Sequence, residues 1–244
     1  MKTVLITGIR RIGFEIAKYL LEKGYDLIVY YKESSDKARE LEGYARKLER
    51  IFQAYKVDLN DLESVSRITK EVTEKFAPDA FIHVAGPYFP TPFKELSLEA
   101  LHLHFTPTVE AFLEISKILS EGFLKKEGQV KGRIVAFGDW AVDTPYKNYV
   151  AYFVSKGALH TAVKVLAREL APHVLVNCIA LGPTLKPDDF TQERWEDYIR
   201  RTPLKRSVSL KDVVELTYFL MNVESMTGEI INLDSGRHIA GECG

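Results

Sequence analysis

Two side chains in the second half of the chain have the types and the spacing that proton transfer requires. Tyr152 and Lys156 are four positions apart, so they share one face if the segment is helical. A tyrosine is a weak acid with a reference pKa of about 10, and a nearby ammonium group lowers this pKa because it favours the phenolate. The spacing therefore predicts that Tyr152 donates a proton and that Lys156 lowers its pKa.

A second group of residues could bind the phosphates of a dinucleotide. Gly8 and Gly13 lie between the first apolar run and the first helical pattern. Glycines at such a junction let backbone N–H groups and a helix N-terminus approach a pyrophosphate. Arg10 and Arg11 stand between them and add positive charge. This combination predicts a phosphate-binding loop.

The end of the second apolar run indicates which dinucleotide is bound. An NAD site usually has Asp or Glu at this position to bind the ribose 2′-hydroxyl, whereas this chain has Tyr31 and Lys32. Positive charge suits a 2′-phosphate, so the pattern favours NADPH over NADH, although Glu33 follows directly and could favour NADH. Asp58, after the third run, is a candidate for binding the adenine amino group; the alternative is a helix cap.

These residues require an alternating framework of strands and helices to bring them together. Short apolar runs predict strands at Thr3–Thr7, Asp26–Tyr31, Ile51–Lys56, Ala80–Val84, Gly132–Phe137, Val174–Ile179 and Glu229–Leu233. Periodic patterns predict helices at Gly13–Lys23, Asp61–Phe76, Leu98–Ser120, Tyr149–Leu170 and Leu210–Met221. We therefore predict an α/β protein: one Rossmann-fold domain over residues 1–244, with a doubly wound, parallel, seven-stranded sheet and helices on both faces. The polar, proline-containing segment 182–206 is predicted to be a substrate-side loop or lid.

Composition narrows the classes of partner and compartment. Of the 244 residues, 46% are hydrophobic and the formal net charge is −1, which argues against nucleic-acid and membrane partners. Only Cys178 and Cys243 are present, without metal-ligand spacing, so we expect no metal and no disulfide framework. The first apolar run stops within a few residues and no long apolar stretch follows, which predicts a cytoplasmic protein.

Three segments resemble the short-chain dehydrogenase/reductase family: the first loop, Tyr152–Lys156 and Leu233–Gly236. The resemblance covers nearly the whole chain, and it implies that Lys156 also anchors the cofactor ribose. It implies that Thr184 binds the nicotinamide amide. The cofactor-binding residues that follow from it are Gly8, Arg10, Arg11, Ile12, Gly13, Tyr31, Lys32, Ser34, Asp58, Leu59, Ala85, Gly86, Tyr152, Lys156, Gly182 and Thr184.

Within this family, the chain resembles the pteridine reductases. Asp139 stands where most members have serine, and pteridine reductases also have aspartate there; a carboxyl group suits a nitrogen heterocycle because it can make two hydrogen bonds or relay a proton. The segment Gly86–Pro92 resembles an aromatic run of that branch, and it implies that Tyr88 stacks on the flat substrate. The ending Asp234–His238 is similar too.

The chain also departs from the family pattern. The first loop is one residue shorter than usual and lacks its middle glycine. His83 replaces an asparagine, and the helix near Leu103 lacks the asparagine that holds a relay water, for which His102 or His104 could substitute. Tyr149, seven positions before Lys156, resembles the acid of enoyl reductases. The spacing between Asp139 and Tyr152 favours Tyr152 instead.

Three functions remain open at this stage. The first is an NADPH-dependent reductase that transfers hydride to a pteridine-type C=N bond, with Asp139, Tyr152 and Lys156 as catalytic residues and Tyr88 and Asp139 as substrate-binding residues. The second is a reductase of 3-oxoacyl thioesters or ketones. The third, from another class, is an NADP(H)-binding sensor without catalysis. The family resemblance also implies a homo-oligomer, a tetramer or a dimer, through the helices at 98–120 and 149–170.

Overall fold

The structure, a computed structural model, describes residues 2–187 and 190–240. Within these ranges seven parallel strands form one sheet in the order β3-β2-β1-β4-β5-β6-β7. The strands are β1 (Thr3–Thr7), β2 (Asp26–Tyr31), β3 (Phe52–Lys56), β4 (Ala80–His83), β5 (Gly132–Asp139), β6 (Val174–Leu181) and β7 (Ile230–Leu233). The reversal of strand order at β1 and β4 places the ligand crevice of such folds above these two strands.

Helices connect the strands and cover both faces of the sheet. They are α1 (Ile12–Glu22), α2 (Ser35–Lys47), α3 (Leu62–Phe76), α4 (Leu98–Phe105), α5 (Ala111–Leu124), α6 (Val150–Glu169), α7 (Gln192–Arg200) and α8 (Leu210–Leu220). A π-helical turn, Thr106–Glu110, joins α4 to α5. The predicted fold class is confirmed.

Two hydrophobic cores lie on opposite sides of the sheet because strand side chains alternate in direction. In β1, Val4 and Ile6 pack with α1, α2 and α8, whereas Leu5 packs with α3, α5 and α6. All three side chains are 0% exposed. Burial on both faces explains why the strands read as continuous apolar runs rather than alternating ones.

The structure corrects the prediction of helices at two places. Helix α2 was not predicted, because only Ala38, Leu41 and Ala45 are buried on an otherwise charged segment. The predicted helix Leu98–Ser120 is interrupted by the π-helical turn that contains Pro107, since proline removes a backbone donor. These two features change which side chains reach the site.

The predicted lid contains a helix that the sequence reading missed. Helix α7 begins after Thr191, whose side chain accepts a hydrogen bond from the Arg194 backbone N–H and caps the helix. Two residues of the predicted lid, Asp188 and Asp189, lie outside the described residues. Cys243, near the C-terminus, lies outside them too. None of the helices in the described ranges combines the length and apolar character needed to span a membrane.

Candidate active site

The predicted catalytic side chains meet at the carboxyl end of β5. Asp139 ends this strand, and Tyr152 lies in the first turn of α6. The Tyr152 hydroxyl donates a 2.6 Å hydrogen bond to Asp139 Oδ2. Lys156 Nζ lies 5.9 Å from the centre of the Tyr152 ring and donates to the Phe137 carbonyl at 2.7 Å. Tyr152 and Lys156 are each only 7% exposed and Asp139 is half-buried, so the three groups interact in a region with limited access to water.

The carboxyl group is held by the local backbone as well as by the tyrosine. Asp139 Oδ1 accepts a 2.8 Å hydrogen bond from the Ala141 backbone N–H and thereby caps the short helical turn Trp140–Val142. From the other side, the Asp139 N–H donates a long, 3.4 Å hydrogen bond to His160 Nε2. A side chain at Gly138 would collide with His160, so this glycine is needed for the imidazole to reach the strand end.

Burial sets the pKa values of the three groups. It raises the pKa of Asp139 and lowers the pKa of Lys156, because desolvation disfavours the charged forms. Burial, followed by the charge of Asp139, raises the pKa of Tyr152 well above 10. In this form of the protein the hydroxyl faces the Asp139 carboxylate and the Lys156 ammonium group points to a carbonyl, so the lowering of the Tyr152 pKa by Lys156 stays a prediction.

Tyr149, the alternative acid, has a different role in the geometry. It lies at the N-terminal end of α6 and its ring stacks on Tyr88, with ring centres 4.9 Å apart and planes 19° from parallel. Rings at this separation are in direct contact, so no flat ligand fits between them. Tyr152, rather than Tyr149, is hydrogen-bonded to Asp139, and the geometry favours Tyr152 as the acid.

Tyr88 forms one wall of the site. Its ring meets Tyr152 edge-on at 5.0 Å, and its hydroxyl is 2.9 Å from the Tyr146 hydroxyl. Because Tyr88 is still 44% exposed, part of this side chain remains open to a ligand. Tyr146 was not predicted from the sequence, because it lies before α6 in a segment without regular secondary structure and so gave no periodic signal.

Helix α7 adds a second aromatic side chain that sequence reading missed. Burial and then the charge of Asp139 raise the pKa of Tyr198 to about 12, and Trp140 hydrogen-bonds to it, so Tyr198 lies close to the acid centre. Its ring also contacts Trp195, at 6.1 Å between centres. The two aromatic residues three positions apart in a polar segment were the available signal, since they predict one apolar helix face.

The two histidines near Leu103 differ completely in burial. His102 is exposed, whereas His104 is 0% exposed and packs 4.1 Å from Phe89 and 6.2 Å from Tyr152 between ring centres; within the described ranges neither of its ring nitrogens has a hydrogen-bond partner. Burial lowers the pKa of His104. It is therefore a neutral ring that supports the site from beneath.

The π-helical turn places the Thr108 hydroxyl group beside Gly86, on which Lys156 also borders. A side-chain carbon built on Gly86 would lie 3.3 Å from Thr108 Oγ1 and 3.6 Å from Lys156 Nζ. Thr108 is 1% exposed and was not singled out from the sequence. His83, also buried, is hydrogen-bonded through Nδ1 to Thr7 Oγ1 at 2.9 Å and so ties β4 to β1.

The first loop has the close backbone packing that a phosphate-binding turn needs. Gly8 has a φ of +82°, and a side-chain carbon there would lie 2.7 Å from the backbone of Ala85. Gly13 packs against the Gly8 carbonyl, which leaves no room for a side chain. Beside this turn the exposed Arg11 guanidinium donates a 2.6 Å hydrogen bond to the Lys186 carbonyl of the predicted lid. Arg11 thus joins the loop to the lid.

The remaining residues of the first loop and of the β2 end surround the same crevice. Arg10 is exposed, Ile12 is half-buried at the start of α1, and Tyr31 is half-buried at the end of β2. Ser34 precedes α2 but makes no side-chain cap. Leu59 is 8% exposed and packs into the second core.

Lys32 and Asp58 form an ion pair where the adenosine ribose is predicted to lie. Lys32 Nζ is 2.9 Å from Asp58 Oδ2, and the two side chains are 55% and 40% exposed. Asp58 Oδ1 accepts from the backbone and side-chain amides of Asn60. Asp61, rather than Asp58, caps α3, so Asp58 is not the helix cap of the alternative reading.

The loop after β6 approaches the site from the opposite edge. Gly182 lies against Asp234, without space for a side chain. Thr184, 8% exposed, donates a 3.1 Å hydrogen bond to the Gly182 carbonyl. This hydrogen bond fixes the side chain of Thr184, which is predicted to bind the nicotinamide amide, within the loop.

A family profile described as enoyl-(acyl carrier protein) reductase matches residues 8–238. The chain belongs to the short-chain dehydrogenase/reductase family. It is an oxidoreductase of that family, as predicted. The shorter first loop and its missing middle glycine therefore do not place the chain outside this family.

Known proteins similar to this short-chain dehydrogenase/reductase include several reductases. An L-xylulose reductase from Bos taurus is 29% identical, with 96% of each chain covered. A dihydromonapterin reductase from Enterobacter sp. is 28% identical, covering 97% of this chain and 96% of the relative. The structure of FolM alternative dihydrofolate reductase 1 from Brucella suis in complex with NADP is 26% identical, with a TM-score of 0.91, covering 99% of this chain and 96% of that one. The resemblance to the pteridine reductase branch is thus confirmed.

The geometry of this short-chain dehydrogenase/reductase fits a dinucleotide phosphate. The close approach of Gly8 to Ala85 keeps the mouth of the first loop free of side chains. The exposed Arg10 and Arg11 flank that loop, and Lys32 lies at the neighbouring strand end. Backbone N–H groups together with several cations are the donors that phosphates require.

Proposed function

We propose that this protein is an NADPH-dependent reductase of a pteridine-type C=N bond, with a dihydropterin or dihydrofolate-like substrate. The observation that carries the proposal is the 2.6 Å hydrogen bond between Tyr152 and the buried carboxyl of Asp139. A carboxyl group beside the proton donor suits a ring nitrogen, which both accepts and donates hydrogen bonds. The similarity to dihydromonapterin reductase and to the Brucella enzyme supports the same substrate class.

The reduction adds a hydride to the carbon and a proton to the nitrogen of the C=N bond. NADPH, when bound, supplies the hydride. Tyr152 donates its hydroxyl proton to the substrate nitrogen, and its raised pKa keeps that proton in place until the hydride has arrived. The Lys156 ammonium group stabilises the phenolate that forms, because the two groups lie within the same buried region.

Asp139 then returns a proton to Tyr152. Burial raises the pKa of the carboxyl, so it carries a proton over a wider pH range than a solvated aspartate. Its short hydrogen bond to the tyrosine provides the direct path. The open part of Tyr88 stacks on the flat substrate ring and holds it against this pair.

NADPH is preferred over NADH in this proposal because positive charge surrounds the ribose end. Lys32, Arg10 and Arg11 would bind the phosphates, and Asp58, held by Asn60, would accept from the adenine amino group. Ser34, Leu59, Ala85, Gly86, Gly182 and Thr184 line the remaining path. The solved Brucella enzyme binds NADP.

The chain is further proposed to act as one domain with segment 182–206 as a lid, and as a homo-oligomer in the cytoplasm. Exposed apolar side chains on α4 and α6 support the assembly: Leu98 is 75% exposed, Val165 52% and Val154 49%. Exposed apolar side chains on these two helices are expected if the helices form the interface between copies. A monomeric mass in light scattering at micromolar concentration would contradict it.

Carbonyl reduction is the second candidate function. The observation in its favour is the similarity to L-xylulose reductase, which matches over 96% of both chains. Tyr152 and Lys156 would serve it equally, since a carbonyl oxygen also takes a proton as hydride arrives. Asp139 argues against it, because a ketone does not need a carboxyl partner.

The loss of NADPH absorbance with a substrate panel distinguishes these functions. The panel contains dihydropterin, dihydrofolate, L-xylulose and an acetoacetyl thioester. Turnover of the two pteridines at the highest kcat/KM supports the proposal. Turnover of L-xylulose or the thioester alone would replace it by carbonyl reduction. NADPH binding without turnover of any compound would favour a sensor.

A further inference from the structure

Arg237 is half-buried and has an incompletely bonded guanidinium group. Its Nε is buried and, among the described residues, has no hydrogen-bond partner. Its Nη1 donates a 3.3 Å hydrogen bond to the Arg201 carbonyl. A guanidinium group carries five N–H donors, and buried donors are nearly always paired. The group therefore has bonding capacity that the described part of the fold does not use.

The position of Arg237 relates this capacity to the active site. The residue opens the short turn Arg237–Ile239 after β7, and its Cζ lies 5.3 Å from the centre of the Trp140 ring. Trp140 directly follows Asp139 in the chain. Arg237 also acts on Tyr198, whose pKa its charge lowers while Asp139 raises it. The guanidinium thus lies at the rim of the site, beside the tryptophan and the lid helix.

Acidic side chains in this region are already bonded to other groups. Asp234 is hydrogen-bonded to the His238 backbone N–H at 2.6 Å and to its ring at 2.9 Å. Asp197 forms ion pairs with Arg200 and Arg201. No ion pair to Arg237 occurs within residues 2–187 and 190–240 at a distance of 4 Å or less. Within these ranges no carboxylate neutralises the charge of Arg237.

We infer that Arg237 binds an anionic substituent of the substrate, a carboxylate or a phosphate, at the rim of the active site. The inference rests on the proposed function, because it assumes that the reduced ring lies against the open part of Tyr88, beside the Tyr152–Asp139 pair. A guanidinium that stacks on an indole ring keeps its N–H edge free, and that edge matches the two oxygens of a carboxylate or phosphate. A substrate with an acidic side chain is accordingly preferred over one with a neutral side chain.

Steady-state kinetics of Arg237→Gln test this preference. Dihydrofolate carries carboxylates on its side chain, and dihydromonapterin carries only hydroxyl groups. We expect the variant to raise KM for dihydrofolate roughly tenfold, the usual effect of losing one charged hydrogen-bonded pair, with kcat unchanged and with KM for dihydromonapterin altered less than about twofold. Arg237→Lys should restore part of the difference, because it keeps the charge. Arg200→Gln, an exposed arginine that pairs with Asp197, is the control and should behave as wild type.

A binding experiment tests the same residue without turnover. In a Trp195→Phe background Trp140 is the remaining tryptophan of the chain, so its fluorescence reports on the ring beneath Arg237. The protein loaded with NADP is titrated with inorganic phosphate and, separately, with acetate. A saturable change with either anion, lost in Arg237→Gln, supports the inference, and the stronger anion identifies the preferred substituent.

Two results would overturn the inference. The first is equal discrimination between dihydrofolate and dihydromonapterin in wild type and Arg237→Gln. The second is an anion response that persists in the variant. If no pteridine is reduced but the anion response depends on Arg237, the proposed function is wrong, whereas the inference that Arg237 binds an anion is retained.

Discussion

At the Asp139 end of the site polar side chains are buried and bonded to one another, whereas at the Arg11 end they are exposed and charged. Tyr152 is 7% exposed and hydrogen-bonded to Asp139. Lys32, in contrast, is 55% exposed and joined to Asp58 in a surface ion pair. Buried groups have shifted pKa values and fixed positions, while a surface pair contributes little to stability and can rearrange. Chemistry is thus placed in the rigid region and cofactor recognition in the adaptable one.

The largest effect is expected at the buried end from Tyr152→Phe. The variant removes the proton donor, so kcat should fall by about 10²–10⁴-fold, with NADPH affinity within roughly twofold of wild type. Initial rates and a fluorescence titration of NADPH measure the two quantities. Tyr149→Phe is the matched control, since its ring stacking on Tyr88 does not depend on the hydroxyl. A larger loss in Tyr149→Phe would transfer the acid role to Tyr149.

Asp139→Asn tests whether the carboxyl group itself is needed. An amide has an acceptor oxygen at one position and an NH2 donor at the other, so it cannot replace both carboxylate oxygens, of which Oδ1 accepts from the Ala141 N–H and Oδ2 from Tyr152. We expect kcat for a pteridine to fall about 10–100-fold. Because burial raises the pKa of Asp139, wild-type activity should decline as pH rises through that pKa, and the variant should lack this decline. A variant with the wild-type pH profile would remove Asp139 from the proton path.

The exposed end should respond more weakly. Lys32→Gln removes a cation from the proposed 2′-phosphate site, and KM for NADPH should rise roughly tenfold while KM for NADH stays within about twofold. The kcat should not change, because Lys32 is far from the buried pair in the fold. Lys37→Gln, which loses an exposed pair with Glu40, is the control. An equal rise in both KM values would mean that Lys32 does not read the 2′-phosphate.

The smallest expected effect concerns stability at acid pH rather than activity. Burial lowers the pKa of His83 to about 3 and of His160 to about 4, while an unfolded histidine titrates near 6.5. The unfolded chain therefore binds protons first, so the free energy of unfolding is highest above pH 6.5 and falls as pH decreases toward 4. For His160 the loss is on the order of 2–3 kcal/mol.

Urea denaturation at pH 7 and pH 4.5 measures this loss. His160→Gln should reduce the difference between the two pH values, because glutamine does not titrate. His102→Gln, at an exposed position, should retain the wild-type difference. An unchanged pH dependence in His160→Gln would show that another group controls acid unfolding.

The strands could be predicted from the sequence where both of their faces are buried in the sheet. Strands such as Asp26–Tyr31 and Thr3–Thr7 were predicted with their observed bounds, because both faces carry apolar residues. Helix α2 was missed since three buried residues among many charges give a weak period. The position of Pro107 marks the break in the long helix, but that it forms a π-helical turn depends on tertiary packing.

The candidate site was accessible only in part. The four-residue spacing of Tyr152 and Lys156 predicts that they share one helix face. Whether the pKa of Tyr152 is raised or lowered, however, depends on the group to which its hydroxyl is hydrogen-bonded. That group is Asp139 on another element, a contact that spacing along the chain does not define. Tyr198 and Thr108 were missed for the same reason, because each reaches the site from a segment without a motif.

The most direct test of the account is a single turnover with NADPH that carries deuterium at the transferred position. The protein is mixed with dihydropterin, and the reduced product is analysed by mass spectrometry. The account predicts one deuterium on the pteridine ring, formed by wild type and not by Tyr152→Phe on the same timescale. Oxidation of the labelled NADPH without deuterium in the pteridine, or equal incorporation by Tyr152→Phe, would contradict it.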